Sequence, residues 1–155
     1  VTSAAVIGIG NDHRRDDGIG PAVAAAVAAR ELPGVRVHSC AAEPTALLDA
    51  WEGADLAIVV DAVAGGVPGR VRQCHLDEVA QSAALSSHDL SVRQTYELGR
   101  VLGRAPGVIV LVTVDVEDTG HGTGLSPAVS AALPQAVATV VALVEHAQEA
   151  AHQQP

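Results

Sequence analysis

The stretch VIGIGNDHRRDDGIGPAV, residues 6–23, restricts this chain more than any other. The apolar run at residues 4–9 reads as a buried strand, and from about Gly18 apolar residues recur near helical spacing. Between them lies a polar loop with Gly8, Gly10, Asn11, two arginines and the pair Asp16-Asp17. A strand that breaks into a polar loop and restarts as a helix is the first half of a βαβ unit. In open α/β sheets, ligand chemistry gathers in the crevice at the carboxyl ends of the strands. Asn11, Asp16 and Asp17 are therefore expected on the functional edge.

The rest of the chain continues the alternation. Residues 35–40 alternate apolar and polar as a second strand, and residues 44–51 read as a short helix stopped by Gly53. Residues 56–60 are continuously apolar, as in a central parallel strand, and Asp61 ends the run. Residues 71–76 read as a less buried strand, and the polar stretch 82–87 leads into a helix over 88–103. Residues 108–114 form the last buried strand. A loop over 115–126 precedes a helix with Leu133, Val137, Val140, Val141 and Val144 on one face. This pattern predicts an α/β fold: a three-layer αβα sandwich, with a mostly parallel, twisted sheet of about five strands and helices on both faces. One domain over residues 1–155 is expected.

With no Phe, no Met, one Trp and one Tyr, the core must be built from Val, Ala, Leu and Ile. Net charge is −9, and all nine basic residues are arginine. That balance disfavours nucleic acid and anionic membrane as partners, since both need a basic footprint. No consecutive apolar run reaches the roughly 18 residues of a membrane span, and the first residues lack a signal-peptide pattern. Cys40 and Cys74 share no metal-type spacing. Two buried thiols in a reducing cytoplasm are expected.

Three residues stand out as candidates for chemistry. Asp17 serves either as a helix-start carboxylate, favoured by exposed N–H groups and the dipole, or as a functional group, because two adjacent aspartates exceed what a cap needs. Asp61 sits at the tip of an apolar strand, either as a solvated loop residue or on the functional edge. His88, in Ser86-Ser87-His88-Asp89, falls in a first helical turn opened by a capping box. The positive end of a helix disfavours imidazolium and so keeps the ring able to bind metal. Two carboxylates and one imidazole, each after a different strand, could hold a metal with positions open for water or substrate. That set suits several divalent first-row metals.

Gly120-His121-Gly122-Thr123-Gly124-Leu125-Ser126-Pro127 is the second unusual stretch. Ser126 as N-cap and Pro127 in the first turn start the last helix. The glycines let the backbone approach a ligand or a neighbouring loop, with positive φ expected at Gly122 or Gly124. The third glycine of a dinucleotide fingerprint is missing after Gly10, and there is no lysine for a phosphate loop. Neither H-E-x-x-H nor G-x-S-x-G occurs.

These residues resemble the hydrogenase maturation endopeptidases, which trim a C-terminal extension from the large-subunit precursor of nickel–iron hydrogenases. The family's opening G-x-G-N-x-x-x-x-D-[DE]-G-x-G is met by Gly8-Ile9-Gly10-Asn11 and Asp16-Asp17-Gly18-Ile19-Gly20. Its aspartate, histidine and late-loop motifs are met by Val59-Val60-Asp61-Ala62, Ser87-His88-Asp89-Leu90-Ser91 and Gly122-Thr123-Gly124-Leu125-Ser126-Pro127. The resemblance implies that Asp17, Asp61 and His88 are both the metal ligands and the catalytic set. It implies nickel as the metal, supplied by the precursor, with another divalent metal as the substitute in isolation. It implies the hydrogenase large-subunit precursor as partner, and a metal-dependent endopeptidase as the activity, in which a metal-bound water could attack the scissile carbonyl. A non-catalytic nickel- or precursor-binding chaperone of the same fold is the alternative. Two segments depart from the family pattern: Asp12-His13-Arg14-Arg15, and the segment 115–119, which is more acidic than expected.

Overall fold

The computed structural model describes residues 3–76 and 87–152. Its elements in chain order are β1 (Ala4–Ile9), a 3-10 turn (Arg15–Gly18), α1 (Ile19–Ala28), β2 (Val35–Cys40) and α2 (Pro44–Trp51). They continue with β3 (Leu56–Ala64), β4 (Val71–His75), α3 (Ser87–Leu102), β5 (Val108–Val116) and α4 (Pro127–His152). The five strands form one sheet in the order β2-β1-β3-β5-β4. β2, β1, β3 and β5 run parallel, and β4 closes one edge antiparallel to β5.

Strand alternation divides the core into two layers. Val6, Ile58, Val60, Val112 and Val114 face α1 and α4. Ile7, Ile9, Ala57, Val59 and Leu111 face the other way, where α2 and Val92 of α3 cover them. This is the expected three-layer sandwich, with α1 and α4 on one face and α2 and α3 on the other. Trp51 supplies the largest side chain of the second layer, fully buried, with its indole N–H donating to the carbonyl of Arg104 at 2.8 Å.

Glycines bring α1 unusually close to the sheet. A Cβ on Gly8 would stand 2.3 Å from the Gly20 carbonyl oxygen, and one on Gly20 would stand 2.3 Å from that of Ile9. Backbone therefore packs on backbone where α1 leaves the loop after β1.

Three boundaries differ from the sequence reading. β3 does not end before Asp61: it runs on to Ala64, pairing Asp61 with Thr113 and Ala64 with Val116. A charged residue reads as a stop in a buried strand, but here Asp61 Oδ1 accepts the Ala62 N–H at 2.8 Å. β5 likewise runs to Val116, which shortens the expected loop. The helix expected from about Gly18 begins as a 3-10 turn, and α1 starts at Ile19.

The cysteines are half-buried rather than buried and lie on β2 and β4, the two opposite edge strands, so they cannot bridge. Burial pushes the Cys40 thiol up, and the nearby Glu43 carboxylate adds to the shift. By length and composition α4 could cross a membrane, with mean hydropathy reaching 1.7. Interspersed Gln, Thr and Glu kept it from reading as one apolar run. Here its Val129, Ala136, Val140 and Val144 are buried in the first core layer.

Candidate active site

The sheet order defines where the chemistry can sit. From β1 the chain goes to β2 on one side and returns to β3 on the other. The carboxyl ends of β1 and β3 therefore flank a topological switch point, where a crevice opens between the departing loops. Asp17 lies in the 3-10 turn after β1, and that turn packs on β3. Asp61 lies on β3 one residue beyond the Gly8–Val60 pair, level with the end of β1. Both are buried, Asp61 almost completely.

Alternation along β3 puts Asp61 on the same side as Ala57 and Val59, the face covered by α2 and α3. His88 occupies the first turn of α3. The last turn of α3 leads to the amino end of β5: the Arg104 carbonyl meets Trp51, and Gly107 N–H donates to the Ala54 carbonyl. With α3 about 24 Å long, its first turn points away from that amino edge. Ser91 and Pro44 line one small cavity, and Pro44 opens α2 just after the carboxyl end of β2. The start of α3 thus lies toward the same edge as Asp17 and Asp61. The His88 side chain, and the Ser86 half of the expected capping box, lie outside the described residues. Among the described residues, no group of three or more His, Cys, Asp or Glu side chains is arranged to hold a metal ion.

Asp17 caps nothing: neither the 3-10 turn nor α1 has a side-chain cap hydrogen bond. Its Oδ2 accepts the Asn11 N–H at 2.9 Å, and Asn11 Oδ1 in turn accepts the His13 N–H at 2.9 Å. The loop after β1 is folded around this carboxylate.

Asp16 has a role that the sequence did not disclose. Its side chain is fully buried. Oδ2 accepts from the N–H groups of Glu117 (3.2 Å) and Asp118 (3.0 Å) and from the Ser126 hydroxyl (2.8 Å), and Oδ1 accepts the Ser126 N–H at 2.6 Å. The serine directly before the last helix, the expected N-cap position, also helps to hold Asp16. Backbone bonds reinforce the junction, from Asp16 N–H to the Asp118 carbonyl and from Arg15 N–H to the Gly122 carbonyl. Burial pushes the Asp16 carboxyl up, but the bonds from Ser126, Asp118 and Glu117 outweigh it and hold it below the usual value.

That shift predicts a pH effect. The unfolded chain binds the Asp16 proton at higher pH than the folded one, so the clamp contributes stability above the unfolded value of about 4. The contribution is lost as pH falls through the lowered folded value. Asp16→Asn should flatten the dependence of unfolding free energy on pH below about 4, measured by urea titration. A slope equal to that of the wild type would show that the carboxylate is not linked to folding.

Arg15 completes the wall. It takes a left-handed backbone, φ 48°, and its guanidinium donates to Asp118 Oδ2 at 2.6 Å and to the His121 carbonyl at 3.3 Å. Gly122 (φ 139°) and Gly124 (φ 95°) have the positive φ expected for one of them. A Cβ on Gly122 would come 2.9 Å from Arg15 Nε, so this glycine makes room for the arginine. Arg15, Glu117, Asp118, Thr123, Ser126 and Pro127 line an open groove of about 840 Å³. The two segments that depart from the family pattern are thus partners across one junction.

Asp115 is a second buried carboxylate that the sequence left in a loop. Its Oδ2 accepts from Arg72 at 2.9 Å and from the Val67 N–H at 3.1 Å, which holds the turn after β3. Gly66 is required beside it, because a Cβ there would overlap the carboxylate. The adjacent acid was the available signal for Asp16, and the acidic stretch around residues 115–118 for Asp115, but neither tells a clamp from a ligand.

Comparisons with known proteins agree with this architecture. The sequence model of the family described as hydrogenase maturation protease matches residues 22–143. That span holds Asp61, His88 and the glycine loop, and Asp17 lies just before it. No curated protein sequence matches at a significant level. The solved structure of the hydrogenase maturating endopeptidase HybD from E. coli is similar with a TM-score of 0.81 and 24% identity, covering 94% of each chain. An endopeptidase from Escherichia coli, solved in solution, has a TM-score of 0.81 at 25% identity over 94% of each chain. The [NiFe] hydrogenase maturation protease HybD from Thermococcus kodakarensis has a TM-score of 0.76 at 20% identity, covering 92% of this chain and 99% of that one.

Proposed function

The chain belongs to the hydrogenase maturation protease family, and on that premise we propose that Asp17, Asp61 and His88 engage nickel carried by a hydrogenase large-subunit precursor while the chain removes the precursor's C-terminal extension. The nickel belongs to the substrate, and the three side chains recognise it. Two carboxylates and an imidazole fit such an ion in donor type and charge. The observation that carries the reading is the position of Asp17 and Asp61 on either side of the switch point, with the first turn of α3 toward the same edge.

In this reading the two carboxylates supply oxygen ligands, and the groove lined by Glu117, Asp118 and Ser126 receives the extended peptide around the scissile bond. His88 at a helix start is favoured as a neutral ligand. The site acts in the cytoplasm and needs neither nucleic acid nor membrane, in keeping with a net charge of −9 and the lack of lysine.

The test is incubation with nickel-loaded and nickel-free precursor, with products weighed by mass spectrometry. Loss of the tail is expected from the loaded precursor alone. Cleavage of the nickel-free form at the same rate, with metal rigorously excluded, would remove the role given to the three residues. Binding of the loaded precursor without any cleavage would favour a chaperone.

A further inference from the structure

We propose that Asp16 is a positioning residue that fixes the wall of the substrate groove relative to Asp17, and that the groove's occupant is the extended peptide segment beside the scissile bond. This rests on the endopeptidase reading above. The argument begins with an unusual choice of group. A fully buried carboxylate carries a large desolvation cost unless it is well compensated. The arginine beside it, Arg15, pairs with Asp118 instead. All four side-chain bonds to Asp16 come from the segment between Glu117 and Ser126. A carboxylate so held is specified for one task, which is to join that segment to the turn after β1.

The joined parts are the two halves of a site. Glu117, Asp118 and Ser126 line the groove, and the next residue after Asp16 is Asp17. One turn of backbone therefore carries both the groove's anchor and a candidate nickel-engaging carboxylate. Thr123, Gly124 and Leu125 line the groove, and the space where a Gly124 Cβ would project is empty. If the wall shifts, a bound peptide shifts its register against Asp17, and about 1 Å of misplacement can cost about a hundredfold in rate.

The experiment compares wild type, Asp16→Asn, Ser126→Ala and Leu47→Ala. Leu47 lies on α2 and is buried in the second core layer, so its variant is a control for lost stability. Precursor affinity and KM are measured at a temperature where each variant is folded. Nickel-ion affinity of the protein alone is measured by calorimetry, and amide exchange is followed at Glu117, Asp118 and Ser126. Asp16→Asn is expected to weaken precursor binding and raise KM by about tenfold or more, speed exchange at the three amides, and change nickel-ion affinity by less than about twofold. Ser126→Ala, which removes one of the four bonds, should show the same pattern at smaller amplitude. Leu47→Ala should leave precursor affinity unchanged.

Unchanged affinity and KM in folded Asp16→Asn overturns the proposal, and so does unchanged exchange at the three amides. An equal loss of affinity in Leu47→Ala also overturns it, because the effect would then follow stability alone. Where Asp16→Asn does not fold, unchanged affinity in Ser126→Ala overturns it. A wild-type chain that neither binds nor cuts the precursor defeats the endopeptidase reading itself. That outcome is told apart by the wild-type arm.

Discussion

Asp61→Asn is expected to lower kcat/KM for nickel-loaded precursor by about a thousandfold, beyond the 10- to 100-fold typical of groups that only support a ligand. The protein should stay folded. Asp61 is about 1% exposed, and its Oδ1 accepts the Ala62 N–H, a bond that an asparagine oxygen can still accept. The substitution therefore removes charge while keeping shape and the local hydrogen bond. A carboxylate engages a divalent cation far better than an amide, so the loss should fall on engagement of the loaded precursor. His88→Ala and Asp17→Asn should behave alike. A His146→Ala control, at an exposed position on α4, should stay within about twofold of wild type. Retention of more than about a tenth of wild-type kcat/KM in folded Asp61→Asn would remove Asp61 from the site.

Gly20→Ala should destabilise the protein by several kcal/mol and lower the melting temperature by roughly 10 °C or more. The sign is what makes this informative. Gly20 lies in the first turn of α1, where helix propensity alone favours alanine by up to about 1 kcal/mol. Against that gain stand the Ile9 carbonyl oxygen at 2.3 Å, the Ile9 nitrogen at 2.9 Å and the Val60 carbonyl oxygen at 2.8 Å from the added Cβ. These are backbone atoms of two central strands, which cannot rotate away as a side-chain end could. Relief requires α1 to lift off β1 and β3. The reading is settled by urea and thermal denaturation, and a stabilised variant would mean that α1 sits further from the sheet.

The fold was legible because its signals are local. The apolar runs of β1 and β3 and the helical spacing of Ile19, Val23 and Val27 need only neighbours in sequence to be read. The ends were less legible where a tertiary partner overrides a local rule. Asp61 reads as a stop, yet β3 continues because β5 pairs with it as far as Val116. For the candidate site, Asp17, Asp61 and His88 were offered by motif order, and the topology brings the first two to one edge. The work of Asp16 could not be read, because all of its side-chain partners lie more than 100 positions away. Adjacent aspartates look alike in sequence. In the fold one is turned to Asn11 and the other to the glycine loop.

That junction also bears on the order in which the molecule is made. Synthesis delivers Asp17 and Asp61 early, while Glu117, Asp118 and Ser126 follow much later. Until β5 and the start of α4 have left the ribosome, the Asp16 carboxylate has none of its four donors, and the groove lacks its far wall. Contacts of such sequence separation form late and slowly, since the intervening chain must first be closed into a loop. The far wall of the groove therefore takes its place only once nearly the whole sheet exists.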